Sequence, residues 1–363
     1  MLQSRESLIK NIDRLLAGEI VLIDLRSPGE YAKGAFPNSI NAPLLDDEQR
    51  KQIGIRYKEQ GQAAAITLGH QLINPQIKTA RIQEWQAILA THSHSILYCW
   101  RGGMRSQIVQ RWLSEAGSTV PVVPGGYKAL RNHCLNYFDN LSEEQAIIVL
   151  AGRTGSGKTP LLNKFTNTID LEGLANHRGS AFGRKTSEQP TTINFEHTLA
   201  RNLIRQHSTT TIIVEDESRI IGRLAIPEQL FQKMKQASVI VLESPLKERS
   251  QRIFQEYVVD ALAAPDSNPA QLEARYLASL ERIKRRLGGA RCEDIAQSVR
   301  AAFATKPDAP SYLNIHCLWI EKLLNWYYDP MYDYQLERKQ PRVILSGDCS
   351  TIEGYLSTLQ QRD

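Results

Sequence analysis

The sequence predicts two consecutive α/β units, each a parallel sheet flanked by helices, followed by a helical, aromatic-rich C-terminal region. Three observations carry this reading. Short apolar segments of strand type alternate with segments of helical period, the pattern of parallel strands joined by crossover helices. A polar stretch, Asp139–Glu144, splits the alternation into two blocks. In each block one apolar strand runs into a glycine-rich turn and then a helix. A chain of 363 residues has room for two such domains, placed here at 1–138 and 145–363.

In the first block, Glu19–Leu25, Ser95–Tyr98 and Thr119–Val123 read as strands. Ile108, Val109, Trp112 and Leu113 repeat with helical period between Met104 and Ala116. In the second, Ala146–Leu150, Thr211–Val214 and Ser238–Leu242 are strands of buried type. Residues 250–300 read as charged helix, and the tail beyond 310 is rich in Trp and Tyr with no evident topology.

Composition is that of an ordinary folded protein, 42% hydrophobic and 23% charged. No apolar run approaches the ~20 residues of a membrane span, and no apolar signal core follows Met1–Glu6. The cytoplasm is the expected location, with no membrane partner. A net charge of +5 is compatible with a nucleic-acid partner without demanding one. The cysteines, Cys99, Cys134, Cys292, Cys317 and Cys349, are scattered and form no CxxC pair. A zinc site or disulfide framework is therefore not expected.

Cys99 opens the loop Cys99-Trp100-Arg101-Gly102-Gly103-Met104-Arg105-Ser106. Glycines let such a loop curl its amides inward. The following helix N-terminus, with Arg101 and Arg105, adds positive potential. That surrounding lowers a thiol pKa and holds an anion against the sulfur, which is what sulfur, selenium or phosphoryl transfer needs. The competing reading is a small buried structural cysteine. Cys99, Arg101 and Arg105 are the candidate catalytic residues.

Gly152-Arg153-Thr154-Gly155-Ser156-Gly157-Lys158-Thr159 fits GxxxxGK[ST] in its required place between strand and helix. Gly152, Thr154, Gly155, Ser156 and Gly157 would cradle phosphate, Lys158 would pair with its oxygens, and Thr159 would reach a metal. Glu215-Asp216-Glu217-Ser218 follows a strand in the manner of a Walker B segment. Thr159, Glu215 and Asp216 are thus the candidate Mg²⁺ partners. No NKxD guanine motif occurs. The phosphate suited to the cradle belongs to ATP, a diphosphate substrate or a nucleic-acid backbone. Further candidate anion or RNA contacts are Arg178, Ser180, Arg184 and Lys185 in the loop after His177, and Arg282, Arg285 and Arg286 on a basic helix within Gln271–Leu287. Solvated charge is the alternative for each. The tail aromatics from Trp326 to Tyr334 would stack an extruded base or simply pack.

Ile23–Tyr31, Gly34–Pro43, the Cys99–Arg105 loop and Pro124-Gly125-Gly126-Tyr127 resemble a rhodanese domain over about residues 5–138. Asp24 and Arg26 would serve its framework. The resemblance is broken by a long insert, roughly 45–90, which points to a specialised substrate. Together with the P-loop, the His177-Arg178-Gly179-Ser180 and Phe182-Gly183 segments, and Glu215–Arg219 with Ile221-Gly222, nearly the whole chain resembles the bacterial tRNA 2-selenouridine synthases. The resemblance implies action on tRNA carrying wobble 2-thiouridine. It further implies that sulfur is replaced by selenium from selenophosphate, through an S-geranyl intermediate made from geranyl diphosphate. No tightly bound cofactor is implied, and no oligomeric state follows from it. Two other classes fit the motifs alone: a rhodanese-type sulfurtransferase fused to a nucleotide-dependent kinase, and a nucleotide-regulated RNA-binding module.

Overall fold

The computed structural model describes residues 12–18, 20–141, 145–183, 187–206, 211–264 and 267–360. The chain forms two compact units. The first takes the chain up to Leu141 together with Pro190–Arg205, and the second takes Ser142–Gln189 and Gln206–Asp363.

The first unit is built on three parallel strands, β1 (Leu22–Asp24), β2 (Ser39–Asn41) and β3 (Ile96–Tyr98), in the order β2-β1-β3. Leu22 stands opposite Ser39 on one side and Ile96 on the other. Glu19, at the head of the segment expected as the first strand, lies outside the described residues. The expected strand Thr119–Val123 is reduced to one parallel bridge between Val122 and Leu97. Leu97 N donates to Pro121 O and Val123 N to Leu97 O, each at 2.9 Å. Pro121 has no N–H to extend the ladder, and Pro124 ends the segment.

The insert at 45–90 is helical, Asp47–Leu72 and Pro75–Thr91, the first helix bending at Gly61. Asp46 caps it by accepting from Gln49 N. Trp85 anchors the second helix: it is fully buried, and its Nε1 donates to Ala42 O at 2.9 Å. The core joins Ile23, Leu25, Leu97, Cys99, Val109 and Leu113 to Trp85 and Trp112. The helix Thr192–Arg205, from the stretch assigned by sequence to the second domain, packs in this unit. Its His197 stacks on Phe36 at 3.9 Å, with Nδ1 2.9 Å from Ala35 O. Burial pushes the imidazole pKa down to about 3.

The second unit has five parallel strands: β4 (Ala146–Ala151), β5 (Thr168–Ile169), β6 (Thr211–Glu215), β9 (Ser238–Leu242) and β10 (Val343–Gly347), in the order β10-β9-β4-β6-β5. A small antiparallel pair, β7 (Ile220–Ile221) and β8 (Leu224–Ala225), lies between β6 and β9 in sequence. The apolar runs of β4, β6 and β9 are buried as a sheet covered on both faces requires. The tail resolves into helices and then β10, which pairs with β9. Its last helix, Cys349–Gln360, places Ile352 and Leu356 against Ile148, Leu150 and Ile240.

A separate helical core, from Leu246–Phe254 to Tyr312–Leu323, packs around Tyr276, Trp319 and Ile320. Two π-helical turns, Gln255–Val259 and Leu324–Tyr328, interrupt it. No helix among the described residues is long and apolar enough to cross a membrane.

Candidate active site

Strand β3 delivers Cys99, 3% exposed, to the loop that enters helix Met104–Glu115. The loop is clamped through its carbonyls. Tyr127 N donates to Cys99 O at 2.8 Å and Lys128 N to Trp100 O at 3.0 Å. Gly126 adopts φ +57°, and a Cβ there would fall 2.2 Å from Cys99 O, so the clamp requires glycine. Behind the loop, Asp24 and Arg26 form a buried ion pair at 2.6 Å. Tyr98 donates to Asp24 at 2.6 Å and Arg26 to Gly34 O at 2.8 Å. This is framework, as the sequence suggested.

The two loop cations differ. Arg101 is exposed. Arg105 is half-buried and paired with Glu30 at 2.5 Å. Burial works against ionisation of Glu30, but the Arg105 hydrogen bond and charge hold its carboxyl below the usual range. An anion entering the cradle would meet Arg101 freely and would compete with Glu30 for Arg105. The Trp100 indole lies flat on Tyr127, centroids 5.1 Å apart at 20°. Tyr127 in turn covers the Arg26 guanidinium at 3.9 Å.

In the second unit, β4 ends at the P-loop, between β6 and β9. Its mouth therefore lies where the strand order reverses, at the carboxyl edge of the sheet. The helix Lys158–Leu162 follows. Gly155 adopts φ +78°, and a Cβ there would meet Ile253 Cδ1 at 2.8 Å and Arg249 O at 2.9 Å. Lys158 Nζ donates to Gly152 O at 3.0 Å.

Helix Leu246–Phe254 braces the loop. Arg252 donates to Gly155 O and Ser156 O at 3.1 and 3.2 Å. Arg249 donates to Thr154 O at 3.3 Å and forms a buried ion pair with Asp329 at 2.7 Å. Thr154, Gly155, Ser156, Gly157, Lys158 and Thr159 line a cavity of about 870 Å³. Its other walls include Phe231, Met234, Ile253 and Met331, and the π-helical turns contribute Tyr257, Tyr327 and Tyr328. The tail aromatics thus sit largely around this cavity, while Tyr334 is 63% exposed.

The acidic segment rearranges the expected metal partners. Asp216, expected beside Thr159 and Glu215, is instead held by Lys339 at 2.5 Å. The carboxylates that gather are Glu172, Glu215 and Glu217, with oxygens within 4.8 Å of one another. Burial, then the charge of Glu172, pushes the Glu215 carboxyl well above its usual range, and the same causes lift Glu217 to about 8. Glu215 Oε2 is buried without a partner. Hard oxygen donors with one orphaned buried oxygen suit Mg²⁺, which takes one or two carboxylates plus phosphate oxygens.

Of the other expected contacts, Arg178 lies over the Tyr257 ring at 4.4 Å and reaches Glu256 at 3.5 Å. It lines the cavity with Ser180 and Arg286. Arg282 donates to Ala181 O at 2.9 Å, tying the Ser180 loop to the basic helix Pro269–Leu287. Arg285 is exposed. Arg184 and Lys185 lie outside the described residues. Sequence reasoning missed Glu172, Lys339 and the bracing pair Arg249 and Arg252. Glu172 lies in the short helix Leu171–Ala175 and carries no local mark that separates it from a solvated acid.

Comparison with known proteins decides the family. The family model described as the tRNA 2-selenouridine synthase AAA domain matches residues 145–363, and that of the rhodanese-like domain matches residues 5–133. The chain belongs to the tRNA 2-selenouridine synthase family. The family member of that name from Sulfurovum sp. strain NBC37-1 is 44% identical over 345 residues, 92% of this chain and 94% of its own. Those from Shewanella loihica and Pseudomonas putida are 43% and 40% identical, each over 359 residues and 96% of this chain, covering 96% and 97% of their own. Both loops therefore lie inside segments that match the family's two domain models.

Proposed function

We propose that the chain is a tRNA-modifying enzyme of the cytoplasm. It replaces the sulfur of wobble 2-thiouridine with selenium from selenophosphate, through an S-geranyl intermediate formed from geranyl diphosphate. The observation that carries the reading is the P-loop cavity. One set of walls is a phosphate cradle, and the others offer Phe231, Met234, Ile253 and Met331. A diphosphate with an apolar tail needs both.

In this reading the thiocarbonyl sulfur attacks the allylic carbon of the donor. An S–C bond forms, the C–O bond breaks and pyrophosphate departs. Lys158 and the loop amides take up the charge that develops on the leaving group. Mg²⁺, held by Glu215 with Glu172 and Glu217 and reached by the Thr159 hydroxyl, would neutralise phosphate charge. Alkylation turns a poor leaving group into a good one. The selenium of selenophosphate then adds at C2, the C2–S bond breaks to expel the geranyl thiolate, and water cleaves the Se–P bond to release phosphate. Arg101, Arg105 and the amides at the start of helix Met104–Glu115 would hold selenophosphate, with the Cys99 thiol set against its selenium to orient the transfer.

The test is mass analysis of nucleosides from 2-thiouridine tRNA incubated with the protein and both donors. Geranylated and then selenated uridine is the expected result. Unchanged 2-thiouridine with ATP hydrolysis would overturn the reading in favour of the sulfurtransferase–kinase.

A further inference from the structure

Two rings and a cation cluster in the first unit, the Arg26 guanidinium lying over both Tyr127 and Trp100. The Arg26 guanidinium is fixed by Asp24, Tyr127 covers it, and Trp100 covers Tyr127. The cluster begins in the core, where Arg26 is 1% and Tyr127 5% exposed, and reaches the surface at an indole that is 41% exposed. The unit buries its other tryptophans, Trp85 and Trp112, at 0% and 7%. Trp100 is therefore not exposed for want of a core to enter. Its backbone is clamped by Lys128, so the ring is presented on a fixed loop. Space lies beside it, since a Cβ on Gly103 would meet no atom within 4 Å. Two exposed cations, Arg101 and Lys128, flank it in sequence and through that backbone bond.

We propose that Trp100 is the stacking platform for the extruded wobble base, holding the pyrimidine beside Cys99. The inference builds on the tRNA reading given above and adds to it a binding residue for the base. An indole already backed by a phenol and a guanidinium pays little ordering cost when a further ring lands on it. Base–aromatic stacking is how proteins hold unpaired RNA bases, and it tolerates a change at the 2-position because it reads the ring face and not the base edge. One platform would thus serve the 2-thio, S-geranyl and 2-seleno forms alike. Arg101 and Lys128 would meet the phosphates on either side of the base.

The experiment uses the full chain and an anticodon stem-loop carrying wobble 2-thiouridine. Trp100→Ala and the bulkier Trp100→Leu should each raise KM about ten-fold, the scale of one lost stacking contact. kcat should stay within about three-fold, and Trp100→Phe should restore KM. The stem-loop should quench tryptophan emission in the natural protein, and Trp100→Phe should bind it without that quench. Unchanged KM in Trp100→Leu, or an undiminished quench in Trp100→Phe, overturns the platform while leaving the enzyme reading standing. A natural protein that never converts 2-thiouridine overturns both.

Discussion

The cysteine loop and the P-loop are the same local device set into different surroundings. Each is a parallel strand, a glycine-containing turn and a helix N-terminus, and in the function proposed above each would turn amide donors toward an anion. The first stands on a three-stranded sheet, with one cation exposed and the other shared with Glu30. The second stands at the reversal point of a five-stranded sheet, and its carbonyls are tied to Arg249 and Arg252. Around the first the described surface is an open glycine and an exposed indole. Around the second is a cavity of about 870 Å³. On that proposal the backbone would provide anion binding in both places, and the end group and walls would assign the chemistry. A thiol suits delivery of a soft atom, and an ammonium suits a departing phosphate.

The sharpest way to break this division is Cys99→Ser. Formation of 2-selenouridine should fall on the order of a thousand-fold, as when a committed reactive group is removed. S-geranyl-2-thiouridine should accumulate in the same nucleoside analysis. If both products fell together, the two loops would not be separate stations. Lys158→Ala is the mirror experiment. Loss of one charge-assisted contact to the leaving phosphate should slow geranylation about a hundred-fold. Selenation of tRNA supplied already geranylated should continue at its normal rate.

A smaller contrast lies in proton binding. Folding lifts Glu217 of the second unit to about 8 from an ordinary 4.5. The native state then holds a proton that the unfolded chain releases. This contribution is full below about pH 4.5 and is lost as pH rises toward 8. His197 of the first unit, lowered from 6.5 to about 3, behaves oppositely. Its contribution is full above about pH 6.5 and is lost as pH falls toward 3. Denaturation midpoints measured from pH 4 to 8 should therefore show opposed slopes. Glu217→Gln should flatten the alkaline one and His197→Gln the acidic one. Mg²⁺, by displacing protons from Glu217 and its neighbours, should weaken the alkaline slope in the natural protein.

The smallest expected effect is at Arg285. Its removal to alanine should weaken tRNA binding only several-fold at low salt. The log–log salt slope should drop by about one, the signature of a single phosphate contact.

What the sequence disclosed and what it hid follow from range. Cys99 and its glycines, and Gly152 to Thr159, declare themselves because turn, charge and helix start are consecutive. Strand β9 was legible from end to end because Ser238–Leu242 is a continuous β-branched and apolar run. Val343–Gly347 was not. It is an edge strand with alternating half-exposed positions, and only the pairing with β9 makes it a strand. Thr119–Val123 misled in the other sense, since its valines look like a strand while Pro121 denies the ladder its donors. The acidic centre was half legible. Glu215 and Glu217 stand in one segment, but Glu172 and Lys339 join or divert it through tertiary contacts that no local spacing encodes.

The helix Thr192–Arg205 carries a consequence for how this chain is made and cut. Its His197 and Glu196 engage Phe36 and Arg131, yet it is encoded after the P-loop. On the ribosome the cysteine-bearing body stays incomplete until residue 205 has emerged, by which time the P-loop strand is already outside. That strand's own sheet must wait for β10 near the end of translation. The two bodies are thus threaded through one another in the gene, and a truncation after residue 141 would deliver the cysteine loop without the helix that closes over Phe36.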